Sequence, residues 1–421
     1  MQDLPLYKII FADILNPISD QECQLLKNWC LILKKGPLSQ GYKIQQLMAQ
    51  KEALPFFLKK DLHFIELKNQ VLVPGLIDLH FHWVQRDVCS APKDSLLDWL
   101  SNYTWPAEEK FTSATYAKKK AKKLAKELIK VGTMGGAAYG SIHSHTVDLA
   151  LKNFVGDFMV GNVLMTMNSP EKLLQKKDKA LREIKELIKK HGPRYVLTPR
   201  FAPTTHPQVM RQGSQWARQK KCFVQTHLSE NLSEIAYVLN LYRNLPGFED
   251  VESYTEIYHR CKILGPRTLM GHGIHLSEEE LSLLSKTRTI IAHCPTSNAP
   301  LIDQGLGSGL FDFRRTEKFK VRWGLGSDIG AGPYLSMLDV IQSFVTQNKR
   351  QGISQATYTK GLYRATAMNA QLLGLNKSGN FTSGKWANFI SLPCPRPRKG
   401  ERAESLLKRI IAPLAPNREK Y

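Results

Sequence analysis

Residues 71–82, VLVPGLIDLHFH, decide the fold class of this chain. The stretch is almost wholly apolar, and short apolar runs with flanking Gly or Pro are typical of strands buried in a parallel sheet. It ends in His80 and His82, and side chains two positions apart on an extended segment point to the same side. A buried strand with two ionisable side chains at its end predicts a functional edge of a sheet.

The same layout recurs along the chain: a short apolar run, then a polar or ionisable residue, then a segment with helical periodicity. The later runs are KCFVQTH, RTLMGH, TIIAH and KVRWGLGSD, which end at His227, His272, His293 and Asp328. Between such runs, apolar stripes predict amphipathic helices over 113–132, with Ile129 in the stripe, and over 171–190, with Leu174 in the stripe. Alternating strands and helices favour an α/β fold.

The spacing of these strand ends favours one large barrel. His80 and Asp328 lie 248 positions apart, which matches the roughly 250 residues of a (β/α)8 TIM-type barrel, where the chemistry lies at the carboxyl ends of the strands. We therefore predict an α/β barrel over residues 73–374. The flanks, 1–72 and 375–421, contain the β-rich runs LYKIIFADIL and FTSGKWANFISL. They predict a small β-sheet domain formed by the N- and C-terminal parts together.

Composition excludes several classes of protein. Of 421 residues, 42% are hydrophobic and 23% are charged, which excludes a disordered, collagen-like or coiled-coil chain. No apolar run is long enough for a membrane helix, and the N-terminus lacks the layout of a signal peptide, so we expect a cytoplasmic protein with no membrane partner. Seven cysteines without a CxxC pattern indicate neither a disulfide framework nor a cysteine-rich zinc site.

Histidines and one aspartate at strand ends predict a metal site. His80 and His82 can converge on one ion, and catalytic zinc takes about three protein ligands and a water. An isolated HxH is weak evidence, since His143-Ser144-His145 shows the same pattern, and we interpret that second pair as a loop or helix-start feature. A carboxylate beside a metal-bound water can accept its proton, so the set as a whole predicts metal-assisted hydrolysis.

Glu230 follows His227 by three residues. At that distance along the chain it can reach the same site and transfer protons without being a metal ligand. Taken alone, a glutamate in this position is more typical of a helix start. Together with the strand-end histidines it predicts a catalytic acid.

Several motifs together resemble a known superfamily. With PGLIDLHFH, QTHLSE, GHGIHLS, AHCPTSN and GLGSD in this order and spacing, the chain resembles the metal-dependent amidohydrolases from about Leu72 to Leu373. Within them it is similar to the guanine deaminase family at HFHWVQ (80–85), at LLDWLSNYTWPAEEKF (96–111) and at PRFAPT (199–204).

The resemblance implies roles for individual residues. The implied metal ligands are His80, His82, His227 and Asp328. The implied catalytic residues are Glu230, Asp328 and His272. The implied substrate-binding residues are Gln85, Arg200, Phe201 and His272. Binuclear relatives carry a bridging lysine that is absent from PRFAPT and the preceding YVLT, so one zinc ion per chain is implied, and the resemblance alone implies a homodimer.

The activity that the resemblance implies is hydrolytic deamination of guanine to xanthine and ammonia in purine catabolism, by a hydrolase acting on C–N bonds of cyclic amidines. Zinc-bound hydroxide would attack C2, with Glu230 protonating N3 and Asp328 transferring the water proton. Guanine needs a stacking face, a hydrogen-bond donor for O6 and an amide-like partner, and the side chains of Phe201, Arg200 and Gln85 supply these chemical types.

Two other functions stay open. One is hydrolysis of another amino-substituted heterocycle, such as a pterin, a triazine or an oxidised guanine. The other is deamination of a base within RNA, suggested by a net charge of +22 and by the lysine-rich stretches 118–130 and 172–190. No RNA-binding motif accompanies these lysines, so we expect a small-molecule purine base and no nucleic acid as the partner. The H-x-E and P-C-x-x-C signature of the cytidine deaminase fold is absent.

Overall fold

The computed structural model describes residues 5–36, 41–53, 62–93, 95–394 and 397–412. The strands in these ranges are β1 (Tyr7–Pro17), β2 (Cys23–Lys35), β3 (Tyr42–Ala49), β4 (Leu62–Pro74), β5 (Leu76–His82), β6 (Thr133–Gly140), β7 (Asp157–Leu164), β8 (Val196–Pro199), β9 (Phe223–Leu228), β10 (Thr268–His272), β11 (Ile290–His293), β12 (Arg322–Leu325) and β13 (Phe389–Pro393).

The α-helices in the same ranges are α1 (Leu96–Trp99), α2 (Trp105–Glu109), α3 (Ala114–Lys130), α4 (His145–Asn153), α5 (Lys177–His191), α6 (Pro207–Gln219), α7 (Leu232–Arg243), α8 (Tyr254–Arg260), α9 (Glu278–Thr287), α10 (Pro295–Asn298), α11 (Phe313–Lys318), α12 (Met337–Arg350), α13 (Tyr358–Tyr363), α14 (Asn369–Leu372) and α15 (Ala403–Ile411). Single π-helical segments join α1 to α2 and α13 to α14. None of the described helices is long and apolar enough to cross a membrane.

A five-stranded sheet combines strands from both ends of the chain. Its order is β13-β4-β1-β2-β3, with β1 antiparallel to β2 and parallel to β4, and β13 antiparallel to β4. The small sheet expected from the two flanks is therefore confirmed. The division at residues 72 and 374 stays a prediction, which the positions of these strands support.

The stretch at 71–82 forms two strands and not one. β4 ends at Pro74 in the small sheet, and β5 begins at Leu76 in the barrel. Proline has no N–H to continue the ladder, and the Gly75 N–H donates to the carbonyl oxygen of Asn388, 2.9 Å away. The sequence pattern could not show this break, because both halves are apolar and fully buried.

Eight parallel strands, β5 to β12, form the second sheet in strict chain order. This is the (β/α)8 arrangement predicted from the strand-end residues. The helices pack around it by their apolar faces, and α3 buries Ala117, Ala121 and Leu124. Two stripe residues were placed wrongly. Ile129 lies at the edge of the α3 stripe and is 50% exposed, and Leu174, 47% exposed, precedes the start of α5.

The side chain of Asn369 joins the first and last strands of the barrel. Its Nδ2 donates to the carbonyl oxygens of Ile77 on β5, at 2.7 Å, and of Leu325 on β12, at 2.8 Å. Its Oδ1 accepts from the Leu325 N–H at 3.3 Å. Gly324 leaves room for this amide, because a Cβ there would lie 2.0 Å from Oδ1. A fully buried side chain thus satisfies backbone groups at the seam.

We expect Asn369→Ala to destabilise the protein. The substitution leaves buried backbone groups of β5 and β12 without partners, so the free energy of unfolding should fall by about 3 kcal/mol. Urea denaturation followed by circular dichroism measures the change. Asn376→Ala, at an exposed position, is the matched control and should change stability by less than about 0.5 kcal/mol. Equal stability of both variants would contradict the bridging role of Asn369.

Candidate active site

Four side chains meet at the carboxyl ends of the barrel strands. They are His80 and His82 at the end of β5, His227 near the end of β9, and Asp328 just after β12, and each offers a ligand atom within 4.8 Å of the others. Nε2 of His82 lies 3.0 Å from Nε2 of His227. Oδ1 of Asp328 lies 3.2 Å from Nε2 of His80 and 3.6 Å from Nε2 of His82. The barrel therefore brings together the four residues that sequence analysis expected to bind a metal.

Two glycines make room for His80 inside the barrel. A Cβ at Gly271 on β10 would lie 2.7 Å from Cε1 of His80, and a Cβ at Gly326 would lie 2.8 Å from Cβ of His80. Both distances are shorter than real Cβ contacts. The position of His80 therefore depends on small residues in the GH and GLGSD motifs.

The protonation of the three histidines fits a bound cation. Burial lowers the pKa of His80, His82 and His227, so their rings are neutral at pH 7. Nδ1–H of His227 donates to the Arg200 carbonyl oxygen at 2.6 Å, which leaves the lone pair of that ring on Nε2. Two neutral Nε2 atoms of His82 and His227 then face each other at 3.0 Å. Imidazole and carboxylate donors converging in this way suit zinc.

Asp328 is ionised in this environment. Burial alone would raise the pKa of its carboxyl, but contact with the imidazole of His80 and the charge on the ring of His272 hold that pKa well below its usual value. Its second oxygen, Oδ2, lies 3.9 Å from Nε2 of His272. One carboxylate can therefore serve a metal ion and exchange protons on its other side.

Glu230 and His272 form the second part of the site. Burial raises the pKa of Glu230 to about 7, and its Oε2 lies 3.4 Å from Nε2 of His272. Burial opposes the charged ring of His272, but the carboxylates of Glu230 and Asp328 raise its pKa, and its Nδ1–H donates to Oδ1 of Asn298 at 2.9 Å. A carboxyl group such as that of Glu230, whose pKa lies near 7, suits general acid-base chemistry.

Two of these residues have an uncommon backbone. His272 has φ of 70° and Asp328 has φ of 49°, a left-handed conformation that non-glycine residues rarely adopt and that often marks functional sites. The turn before Asp328 is held by Asp78, whose carboxylate accepts from the Ser327 N–H at 2.9 Å, from the Ser327 hydroxyl at 2.5 Å and from the His80 N–H at 3.1 Å. Buried hydrogen bonds thus stabilise the strained segment.

A pocket opens beside the histidine cluster. Gln85, Arg200 and Phe201 line it together with Glu230 and His272. Leu96, Trp99, Leu100 and Ala331 also line this pocket. The structure therefore places every predicted site residue except His80 in the lining of one cavity that offers hydrogen-bonding groups and apolar surface. His80 belongs to the adjoining cluster of ligand atoms.

Comparison with known proteins identifies the family. The sequence profile of the amidohydrolase family matches residues 71–415. The chain belongs to the amidohydrolase family. The guanine deaminase of Escherichia coli (strain K12) is 34% identical over 334 residues, which cover 77% of this chain and 73% of that protein.

Solved structures agree with the sequence comparison. The E. coli guanine deaminase superposes with a TM-score of 0.84 at 28% identity, covering 96% of this amidohydrolase and 95% of that chain. The guanine deaminase of C. acetobutylicum, whose structure has guanine bound in the active site, gives a TM-score of 0.82 at 29% identity and 96% coverage of both chains. The predicted resemblance of this amidohydrolase to guanine deaminases is confirmed.

Three residues that support the site were not predicted from the sequence. Glu108 is fully buried and bonds to Arg200 and Gln85, Asn298 orients His272, and Asp78 holds the turn before Asp328. Glu108 lies in the quoted segment 96–111, but a buried glutamate and a surface glutamate look the same in a sequence. The signal for Asp78 was its place in PGLIDLHFH, where a charged residue interrupts a buried strand.

The second HxH lies outside the cluster. Nε2 of His143 is 3.0 Å from the hydroxyl of Thr112, and Nε2–H of His145 donates to the Phe111 carbonyl oxygen at 2.8 Å. His145 is the first residue of α4. In the described part of the chain, neither histidine belongs to a group that could hold a metal ion, which agrees with its interpretation as a helix-start feature.

We expect Gly271→Ala to weaken metal binding by this amidohydrolase about 10- to 100-fold. The added methyl group would displace the His80 ring, and changes next to a ligand typically cost affinity in this range. Elemental analysis and competition with a chelator measure the loss. Gly265→Ala is the matched control, because its Cβ would meet no atom closer than 3.8 Å. Unchanged metal affinity in Gly271→Ala, measured by chelator competition, would contradict the role of His80 as a ligand.

Proposed function

We propose that this amidohydrolase hydrolyses guanine to xanthine and ammonia. The observation that carries the proposal is one pocket in which a histidine–aspartate cluster faces Gln85, Arg200 and Phe201. Similarity to guanine deaminases over the length of the chain supports the choice of substrate.

We propose one zinc ion per chain, held by His80, His82, His227 and Asp328. A zinc ion held by these residues would supply a nucleophile derived from water at neutral pH. β8 consists of Val196, Leu197, Thr198 and Pro199, so no lysine is present there to bridge a second ion. The elemental analysis described for Gly271→Ala also counts the metal in the unmodified protein, and two ions per chain would contradict this proposal.

Protons move through Asp328 and Glu230. Asp328 accepts a proton from the attacking water as the oxygen bonds to C2, and Glu230 donates its proton to N3 of the ring. The C2–N bond then breaks, the amino group leaves as ammonia with the proton from Asp328, and the hydroxyl on C2 returns its proton to Glu230 as the C2 carbonyl of xanthine forms. A pKa of Glu230 near 7 suits this role, because the acid is then protonated in a large fraction of molecules at neutral pH.

Gln85, Arg200 and Phe201 select the base. The guanidinium of Arg200 donates to an acceptor such as O6, the amide of Gln85 hydrogen-bonds to the ring edge, and Phe201 provides an apolar face. Arg200 and Gln85 are almost fully buried. A ligand that left their polar groups unpaired would therefore bind poorly.

The basic helices do not enter this function. Lysines of α3 and α5 lie on the outside of the barrel, and some pair with acidic side chains of this same chain, as Lys120 does with Asp87 and Lys190 with Asp148 at 2.8 Å. We therefore expect no nucleic-acid partner. The homodimer and the cytoplasmic location stay predictions.

The proposal predicts the substrate preference. Ammonia release should be at least about 10,000-fold more efficient, as kcat/KM, with guanine than with adenine, because adenine places a donor opposite Arg200. Guanosine should be a poor substrate, since its sugar must fit a cavity sized for a base. A coupled assay of ammonia with guanine, adenine, guanosine and a guanine-containing oligonucleotide measures these values at low and high salt.

Other outcomes would select the alternatives. Ammonia release from a pterin, a triazine or an oxidised guanine, with none from guanine, would favour another heterocycle. Preference for the oligonucleotide with a steep loss at high salt would favour an RNA-associated activity. Equal activity on adenine would contradict the role of Arg200.

We expect Glu230→Gln to lower kcat by about 100- to 10,000-fold while zinc content and purine binding stay intact. The amide keeps the size of the side chain but cannot transfer the proton. Stopped-assay kinetics and elemental analysis measure both properties. Glu186→Gln, at an exposed position on α5, is the control. Near-normal turnover in Glu230→Gln would move the acid role to another residue, and His272 is the next candidate.

A further inference from the structure

A fully buried glutamate lies behind the substrate-binding residues. Both carboxylate oxygens of Glu108 accept from Nη1 of Arg200, each at 2.8 Å. Oε1 also accepts from Nε2 of Gln85 at 2.7 Å. Glu108 is 0% exposed and Arg200 is 3% exposed. One carboxylate thus contacts two of the three residues assigned to the base.

The position of Glu108 is set by α2, which follows the π-helical segment 100–104. Ala107 and Glu108 are the buried residues of this helix. The next residue, Glu109, points to the surface, where its Oε2 lies 3.2 Å from Nζ of Lys172. Two adjacent glutamates of one helix therefore have different surroundings, one beside the pocket and one at the surface.

We propose that Glu108 is a positioning residue that determines which purine edge the pocket accepts. The proposal rests on the proposed function, since Arg200 and Gln85 bind the base there. Glu108 does not line the pocket, so it acts through these two side chains. The Glu108 carboxylate accepts hydrogen bonds and cannot donate them, and this limits the orientation of both Gln85 and Arg200.

The constraint on Gln85 is the orientation of its amide. A carboxylate accepts and cannot donate, so the NH2 group of Gln85 faces Glu108 and the Oε1 atom is turned away from it. A Cβ at Gly330 would lie 2.2 Å from this Oε1, which places it beside the loop after β12. Gln85, a lining residue, then presents an acceptor to a ligand N–H.

The constraint on Arg200 is the direction of its guanidinium. Both oxygens of Glu108 hold Nη1, and this charge-assisted contact fixes the position of that end of the guanidinium. The remaining N–H groups of the fork can then donate to a carbonyl oxygen in the pocket. An acceptor on Gln85 and a donor on Arg200 together match a ring edge with N1–H and C6=O.

Two purines that lack the amine at C2 allow recognition of the N1–H and C6=O edge to be tested by itself. Hypoxanthine has N1–H and C6=O, and unsubstituted purine has neither group. Neither compound can lose ammonia from C2, so their binding is measured apart from the reaction, by isothermal titration calorimetry and by competitive inhibition.

We expect Glu108→Gln to weaken hypoxanthine binding about 30-fold and purine binding less than about 3-fold. The amide brings a donor toward the NH2 group of Gln85 and removes the charge opposite Arg200, so the matched edge is lost. KM for guanine should rise more than kcat falls, and zinc content should stay at one per chain. Glu109→Gln, the adjacent position, should leave all these values unchanged.

A double variant distinguishes a loss of ligand specificity from a loss of folding. Glu108→Gln leaves the buried charge of Arg200 without its partner, whereas Glu108→Gln with Arg200→Gln removes both charges. If the two residues act as a unit, the double variant should bind hypoxanthine no more weakly than Arg200→Gln alone, so the effects will not add.

Unchanged hypoxanthine-to-purine selectivity in Glu108→Gln would overturn the proposal. An equal loss of both ligands, or a loss of zinc, would also overturn it by showing a purely structural role. Additive effects in the double variant would do the same. Absence of guanine turnover in the unmodified protein would instead refute the proposed function, and the binding ratio would still test Glu108.

Discussion

The site depends on the closure of the barrel between its first and last strands. The His80 carbonyl oxygen accepts from the Asp328 N–H at 2.7 Å, and the His82 N–H donates to the Ile329 carbonyl oxygen at 3.2 Å. These bonds bring His80 and His82 into contact with Asp328, although Asp328 lies far from them in the chain. Without this closure the carboxylate and the two imidazoles could not share one ion, since a metal site needs its ligands at fixed distances.

Electrostatics follow from the same enclosure. The strand ends exclude water from three imidazoles and two carboxylates, and burial pushes their protonation in opposite directions. It lowers the pKa of His80, His82 and His227 and raises the pKa of Glu230. Neutral imidazoles and a protonated acid are the forms that metal binding and proton donation require. Burial is therefore the common cause of the protonation states of the three histidines and of Glu230.

The sequence predicted the barrel and the residues around its cavity because both leave local signals. Strands buried on both faces give apolar runs, and five of them, β5 and β9 to β12, end at or shortly before an ionisable residue. The break at Gly75 left no such signal, since residues 71–74 at the end of β4 and 76–77 at the start of β5 are equally apolar and buried. Asn369 and Glu108 were missed for another reason: their partners are distant backbone and side-chain groups, and only the folded chain shows that either residue is buried.

Arg200 serves the site through two separate parts of the same residue. Its carbonyl oxygen accepts from Nδ1–H of His227 and so orients an imidazole of the cluster, while its guanidinium lies beside the pocket and bonds to Glu108. If another residue replaced Arg200, the backbone carbonyl oxygen at this position would remain. Substitutions during evolution can therefore change the ligand that the pocket accepts and leave the orientation of His227 in place, which separates the history of specificity from the history of the reaction.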